Sequence, residues 1–337
     1  MESLRVTVLG AGNWGTALTH LLARNGHQVK LWAREEEIVR GVNETRRNPL
    51  FLTGAELPEG VEATGELGEA VQDAEMVLVV IPSQFVREHM IAIRDEMPPR
   101  IPIVICSKGI ERESLCTMHQ VLKEELPGKH HSGICVLSGP SFALEVAECH
   151  PTNVTVASEN VEAAEFVQHS VATRDFRIYT SPDILGVELG GALKNVIAIA
   201  AGAADGLGFG HNSKAGLMTR GLAEITRLAV GMGGRPETMA GLAGMGDLIL
   251  TCTGHLSRNR QVGEKMAKGM TLEQLRSEMR QVAEGVATSV SVHELTAREG
   301  VETPISEQVY QVLHQGKSVP EAMESLLARS LKPEWEL

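Results

Sequence analysis

The sequence predicts an α/β protein, a doubly wound parallel sheet followed by an all-helical C-terminal domain. Short apolar runs alternate with helical patterns up to about position 181. Beyond it the strand signal fades and long helical patterns take over. A length of 337 residues predicts about two domains, each able to bury its own core. The expected division is 1–181 and 182–337.

Strands are expected at 5–9, 28–32, 76–81, 102–106, 133–137 and 153–157, with a short last one at 176–179. The runs 76–81 and 102–106 are continuously apolar, as in strands covered on both faces. Helical patterns at 14–25, 84–96 and 116–125 lie between them. Ser181-Pro182-Asp183 then reads as a helix start. The second half follows with helices at 183–204, 213–231, 236–239, 258–268, 271–278, 287–299, 304–314 and 319–328.

Composition bounds the function. A formal net charge of −12 argues against nucleic acid or an anionic membrane as the main partner. Five scattered cysteines without a C-x-x-C pair read as reduced packing residues of a cytoplasmic protein. No leader pattern and no uninterrupted membrane-length apolar run is expected. His130-His131 lacks nearby partners for a metal, so no metal is expected.

The first strand runs into Gly10-Ala-Gly12-Asn-Trp-Gly15 and then a helix. In that position G-x-G-x-x-G is the dinucleotide fingerprint of a Rossmann-type sheet. Gly10 permits the turn, Gly12 lets backbone approach a pyrophosphate, and Gly15 lets helix pack on strand. The helix N-terminus adds N–H groups and partial positive charge. At the end of the second strand an NAD-only site places an acid; here stands Arg34, suited to a 2′-phosphate, followed by Glu35, Glu36 and Glu37. The expected cofactor is NADP(H), with NAD(H) also accepted.

Lys194 lies in the most apolar helical stretch, 187–202. Its helical neighbours Gly190, Gly191, Ile197 and Ala198 offer no carboxylate. Such a lysine either snorkels to water or has a depressed pKa and serves as a proton acceptor. Four other segments put polar groups in apolar or glycine-rich settings: 107–109, 138–143, 244–250 and 257–260. The first two follow strands, where open α/β sheets bind ligands. Ser257-Arg258-Asn259-Arg260 offers a hydroxyl, an amide and guanidinium forks suited to a phosphate.

Together, Gly10-Ala-Gly-Asn-Trp-Gly15, Ser107-Lys-Gly109, Ser138-Gly-Pro-Ser-Phe-Ala143, Leu189-Gly-Gly-Ala-Leu-Lys-Asn195 and Ser257-Arg-Asn-Arg260 resemble, in order, the bacterial NAD(P)-dependent glycerol-3-phosphate dehydrogenases. The resemblance spans nearly the whole chain. It implies Lys194 as general acid/base, and substrate contacts from Lys108, Gly139, Ser141, Lys194, Asp247, Ser257, Arg258 and Asn259. It implies cofactor contacts from Gly10, Gly12, Asn13, Trp14, Gly15, Arg34, Lys108, Ala143, Arg258, Val282 and Glu284. The implied reaction is reversible hydride transfer between NAD(P)H and dihydroxyacetone phosphate, giving sn-glycerol 3-phosphate for phospholipid synthesis. The implied partner is that small phosphorylated substrate, in a homodimer without membrane insertion.

Two other readings stay open on sequence. One is a related reductase of a β-hydroxyacid or ketopantoate. The other is a non-enzymatic NAD(P) sensor, which would need no lysine in an apolar helix.

Overall fold

The computed structural model describes residues 2–278 and 283–334. They form one eight-stranded sheet in the order β3-β2-β1-β4-β5-β6-β7-β8. The strands are β1 Arg5–Leu9, β2 Gln28–Trp32, β3 Val61–Thr64, β4 Met76–Val79, β5 Ile103–Ile105, β6 Ile134–Ser138, β7 Thr152–Ala157 and β8 Phe176–Ser181. Strand order reverses beside β1, which sets the crevice at the carboxyl ends of β1 and β4. Strands β4 and β5 are buried at every position, as their unbroken apolar runs require.

The helices of this half are α1 Asn13–Arg24, α2 Glu36–Thr45, α3 Leu67–Val71, α4 Val86–Ile93, α5 Met118–Glu125, α6 Ala143–Ala147 and α7 Val161–Val171. Separate apolar clusters cover the two faces of the sheet. Among the described residues from Ile184 onward the α-helices are α8 Ile184–Gly206, α9 His211–Gly231, α10 Pro236–Met239, α11 Asp247–Thr253, α12 Arg258–Ala267, α13 Leu272–Glu278, α14 Glu284–Glu299, α15 Pro304–His314 and α16 Val319–Leu327. These helices enclose a third cluster built on α8.

The sheet departs from expectation in two ways. Strand β7 returns antiparallel to β6, pairing Ser138 with Thr155, so the sheet is mixed. Apolar pattern specifies that a strand exists, not which way it runs. Edge strand β3 was not expected, because Val-Glu-Ala-Thr is too short and polar to register as an apolar run. The expected helix 84–96 is shorter, a 3₁₀ turn at Ser83–Phe85 leading into α4.

Helix α8 starts where Asp183 caps it, accepting from Gly186 N at 2.9 Å. The other carboxylate oxygen accepts from Arg235 N at 2.9 Å, tying the start of α8 to the loop before α10. By length and mean hydropathy α8 is long and apolar enough to cross a membrane, although Glu188, Lys194 and Asn195 interrupt its apolar run. Yet 89% of its apolar window is buried inside the protein, and it serves as the core helix of the second half.

Candidate active site

The glycine loop has the geometry its residues permit. Gly10 has φ +115°, and a Cβ there would lie 2.7 Å from the carbonyl oxygen of Val80. A Cβ on Gly15 would meet Gly10 O at 1.8 Å, so α1 can pack this closely only without one. At Gly12 a Cβ would meet nothing within 4 Å, so that backbone faces open space. Gly12 is also the N-cap of α1 and has no side-chain cap, leaving first-turn N–H groups for a ligand. This cradle fits a dinucleotide pyrophosphate. Asn13 is exposed beside it, while Trp14 packs on the core with its Nε1 buried and unpartnered among the described residues. Arg34 is largely exposed past β2 and pairs with Glu35 at 3.0 Å.

The second centre is built around Asp247. Lys194, buried in α8, donates to Asp247 Oδ1 and, at 3.0 Å, to Thr251 Oγ1. Lys108, from the loop after β5, donates to Asp247 Oδ2 at 2.6 Å and to Gly139 O at 3.3 Å. The lysine with no carboxylate three or four positions away on its own helix therefore has one from α11. Burial pushes the Lys194 ammonium down to about 8; Asp247 pulls it back up, and Lys108 adds to the lowering. For Asp247 burial works upward, but Lys108 and Lys194 outweigh it and hold the carboxyl below its ordinary range.

Glycines bring these groups together. A Cβ on Gly191 would come within 2.8 Å of Ser138 Oγ and 3.6 Å of Lys108 Cγ, and one on Gly190 within 2.7 Å of Ala243 O. Without them α8 could not approach both the Lys108 loop and the turn before Asp247. That turn is a π-helical segment, Leu242–Gly246, a form frequent at functional sites. Gly139 has φ +142° and lies against Val154 of β7; its carbonyl accepts from Lys108 and from Ser141 Oγ at 3.0 Å. Ala143 opens α6 just beyond.

Ser257 Oγ caps α12, accepting from Arg260 N at 3.2 Å, and Arg258 is exposed at the first turn. Arg260 points elsewhere, donating to Asp205 of α8 at 2.7 Å, which removes it from the expected phosphate fork. Asn259 is engaged internally. Its Nδ2 donates to Asn195 Oδ1 and its Oδ1 accepts from Gly285 N, both at 2.9 Å, clasping α8 to α14. Glu284 is half-buried at the start of α14. Burial raises its carboxyl, against the pull of Arg258, Lys108 and Lys194. Val282 lies outside the described residues.

Thr251 and Asn195 were not singled out from sequence. Thr251 follows Asp247 by four, one helical turn, and that spacing was the available signal. Asn195 adjoins Lys194 but only tertiary contact reveals its partner. No group of three or more His, Cys, Asp or Glu placed to hold a metal occurs among the described residues.

Known proteins share this plan. The model for the NAD-dependent glycerol-3-phosphate dehydrogenase N-terminus matches residues 5–164, and that for its C-terminus matches 183–324. Glycerol-3-phosphate dehydrogenase [NAD(P)+] of Geobacter sp. (strain M21) is 52% identical over 330 residues, covering 98% of each chain. The crystal structure of glycerol-3-phosphate dehydrogenase from Coxiella burnetii superposes with a TM-score of 0.92 at 36% identity, covering 97% of this chain and 99% of the other. A ketopantoate reductase of Ralstonia eutropha, at 14% identity and TM-score 0.59 over 95% of this chain and 100% of the other, shares the fold alone. With both halves matched and the lysine–aspartate centre in place between them, the chain belongs to the NAD-dependent glycerol-3-phosphate dehydrogenase family.

Proposed function

We propose that Lys194 is the general acid/base for reversible hydride transfer between NAD(P)H and dihydroxyacetone phosphate, the product being sn-glycerol 3-phosphate. The observation that carries the assignment is a buried lysine whose pKa is lowered to about 8, held by Asp247 and Thr251. When bound, the dinucleotide supplies nicotinamide C4 as hydride donor or acceptor. In reduction the Lys194 ammonium gives its proton to the C2 oxygen of the substrate and is reprotonated from solvent. In oxidation neutral Lys194 takes the C2 hydroxyl proton. Asp247 fixes the Lys194 side chain and compensates the two ammonium groups.

Lys108, Gly139 and Ser141 form the substrate side nearest the sheet, with Ala143 and Glu284 toward the cofactor. Ser257, Arg258 and the first turn of α12 hold the phosphate, contributing orientation more than chemistry. In this conformation Asn259 supports that turn through Asn195 and Gly285. Gly10, Gly12, Asn13, Trp14 and Gly15 hold the dinucleotide, and Arg34 favours its 2′-phosphorylated form. The two units are 1–181 for the cofactor and 182–337 for substrate and catalysis.

The ketopantoate or β-hydroxyacid alternative is less well supported, because its likeness extends to fold only. One assay tests the substrate: NADPH oxidation with dihydroxyacetone phosphate, against ketopantoate, short β-ketoacids and buffer. Turnover with any comparison substrate exceeding that with dihydroxyacetone phosphate would overturn it. The family resemblance supports a homodimer, and light scattering on the purified chain tests it. We assign the cytoplasm, in keeping with five free thiols.

A further inference from the structure

The loop between α2 and β3 hydrogen-bonds back to the glycine loop through the side chain of Asn48. It is fully buried and uses every hydrogen-bonding site of its amide. Its Oδ1 accepts from Leu50 N and Phe51 N, both at 3.0 Å. Its Nδ2 donates to Ala11 O and to Thr16 Oγ1, both at 2.9 Å. Thr16 Oγ1 in turn donates to Ala11 O at 3.2 Å. The orientation of the amide follows from its partners: two backbone N–H groups face one end, and a carbonyl faces the other.

Ala11 is the middle residue of Gly10-Ala11-Gly12. In a trans peptide its C=O and the N–H of Gly12 point in opposite directions. Two donors drawing Ala11 O into the protein therefore turn Gly12 N–H the opposite way, and a Cβ on Gly12 would meet nothing within 4 Å. A flipped peptide would instead present a carbonyl to an anion. We propose that Asn48 is a positioning residue for dinucleotide binding, locking the Ala11–Gly12 peptide with its N–H toward the pyrophosphate. Thr16 is its relay. The rest of the loop is fastened independently at its rim, where Glu56 pairs with Arg46 at 2.6 Å and Arg47 at 2.9 Å.

The proposal rests on the glycine loop being the dinucleotide site, and binding is read without turnover. A wild-type chain that binds NADPH but fails to reduce dihydroxyacetone phosphate would therefore sink the catalytic assignment alone. The test titrates NADPH fluorescence against wild type, Asn48→Asp, Asn48→Ala, Thr16→Val and the rim variant Glu56→Gln. Asn48→Asp keeps acceptors for the loop N–H groups while losing both donors. The Asn48 variants should weaken NADPH binding and raise its KM about ten-fold, as expected for two lost neutral hydrogen bonds. Their KM for dihydroxyacetone phosphate and kcat at saturating NADPH should hold, and Glu56→Gln should bind as wild type. Thr16→Val should shift binding in the same direction by about three-fold, and it serves where an Asn48 variant does not fold. Wild-type NADPH affinity in folded Asn48 variants with a lowered Tm would reduce Asn48 to a structural residue. So would KM values that rise equally for both substrates.

Discussion

Lys194 and Asp247, 53 residues apart in the chain, form a buried ion pair between α8 and α11. Asp247 is shared with Lys108, so one carboxylate serves two ammonium groups. The arrangement leaves Lys194 with a lowered pKa despite a carboxylate partner, because burial is the largest influence on it.

Removing the proposed proton carrier should abolish most of the chemistry. Lys194→Ala is expected to lower kcat by ~10²–10⁴-fold, the usual range for general acid–base catalysis. That is about 3–5 kcal/mol of barrier. A folded variant with near-normal kcat in steady-state assays would remove Lys194 from its role.

The pH dependence follows from the same group, with opposite sense in the two directions. Reduction needs the ammonium, so kcat/KM for dihydroxyacetone phosphate should fall as pH rises through about 8. Oxidation needs the free amine, so kcat/KM for sn-glycerol 3-phosphate should rise to about the same pH and level off. Profiles sharing one sign in both directions would contradict the assignment.

Asp247→Asn should expose the cost of two neighbouring lysines. With the carboxylate gone, the influence that raises Lys194 is lost, and the descending limb of the reduction profile should move to lower pH. Breaking a buried pair should also destabilise the fold by about 3–5 kcal/mol, readable in urea unfolding. An unmoved limb would mean that Asp247 does not set the lysine.

Arg258→Ala should raise KM for dihydroxyacetone phosphate while barely changing the poor turnover of unphosphorylated dihydroxyacetone. Equal losses on both substrates would exclude a phosphate contact. Arg34→Ala should raise KM for NADPH and spare NADH, since its guanidinium stands exposed past β2.

Glu224 gives a stability test away from the site. From α9 it caps α15, accepting from Ile305 N at 2.6 Å and Ser306 N at 3.1 Å. Burial raises its carboxyl to about 7. Between about pH 4.5 and 7 the folded state holds a proton that the unfolded chain has lost, so this residue's contribution falls over that range and levels off above it. The Tm of wild type minus that of Glu224→Gln should therefore be lower at pH 8 than at pH 5. A constant gap would show that Glu224 does not titrate there.

The strands, the glycine loop and the long helices were legible because each is specified by neighbours in sequence. Apolar runs report burial, and Gly10, Gly12 and Gly15 report backbone geometry that other residues cannot adopt there. Less legible was direction: nothing in Thr152–Ala157 says that it pairs antiparallel with β6. Asn48 illustrates the limit from the other side. It reads as a loop residue, and its importance lies in partners 32 and 37 positions away.

Local sequence suffices to specify the sheet-then-helices plan, the glycine loop and the presence of a lysine in an apolar helix. Those depend on periodicity, glycine and hydropathy, which act over a few residues. Tertiary structure alone decided that Lys194 is paired, that Arg260 turns to Asp205, and that Asn259 clasps Asn195 and Gly285. The physical reason is that a charge takes its pKa and its partners from whatever packs around it. For Lys194 that surrounding is assembled from α11 and the loop after β5, segments whose approach the helix periodicity of α8 does not encode.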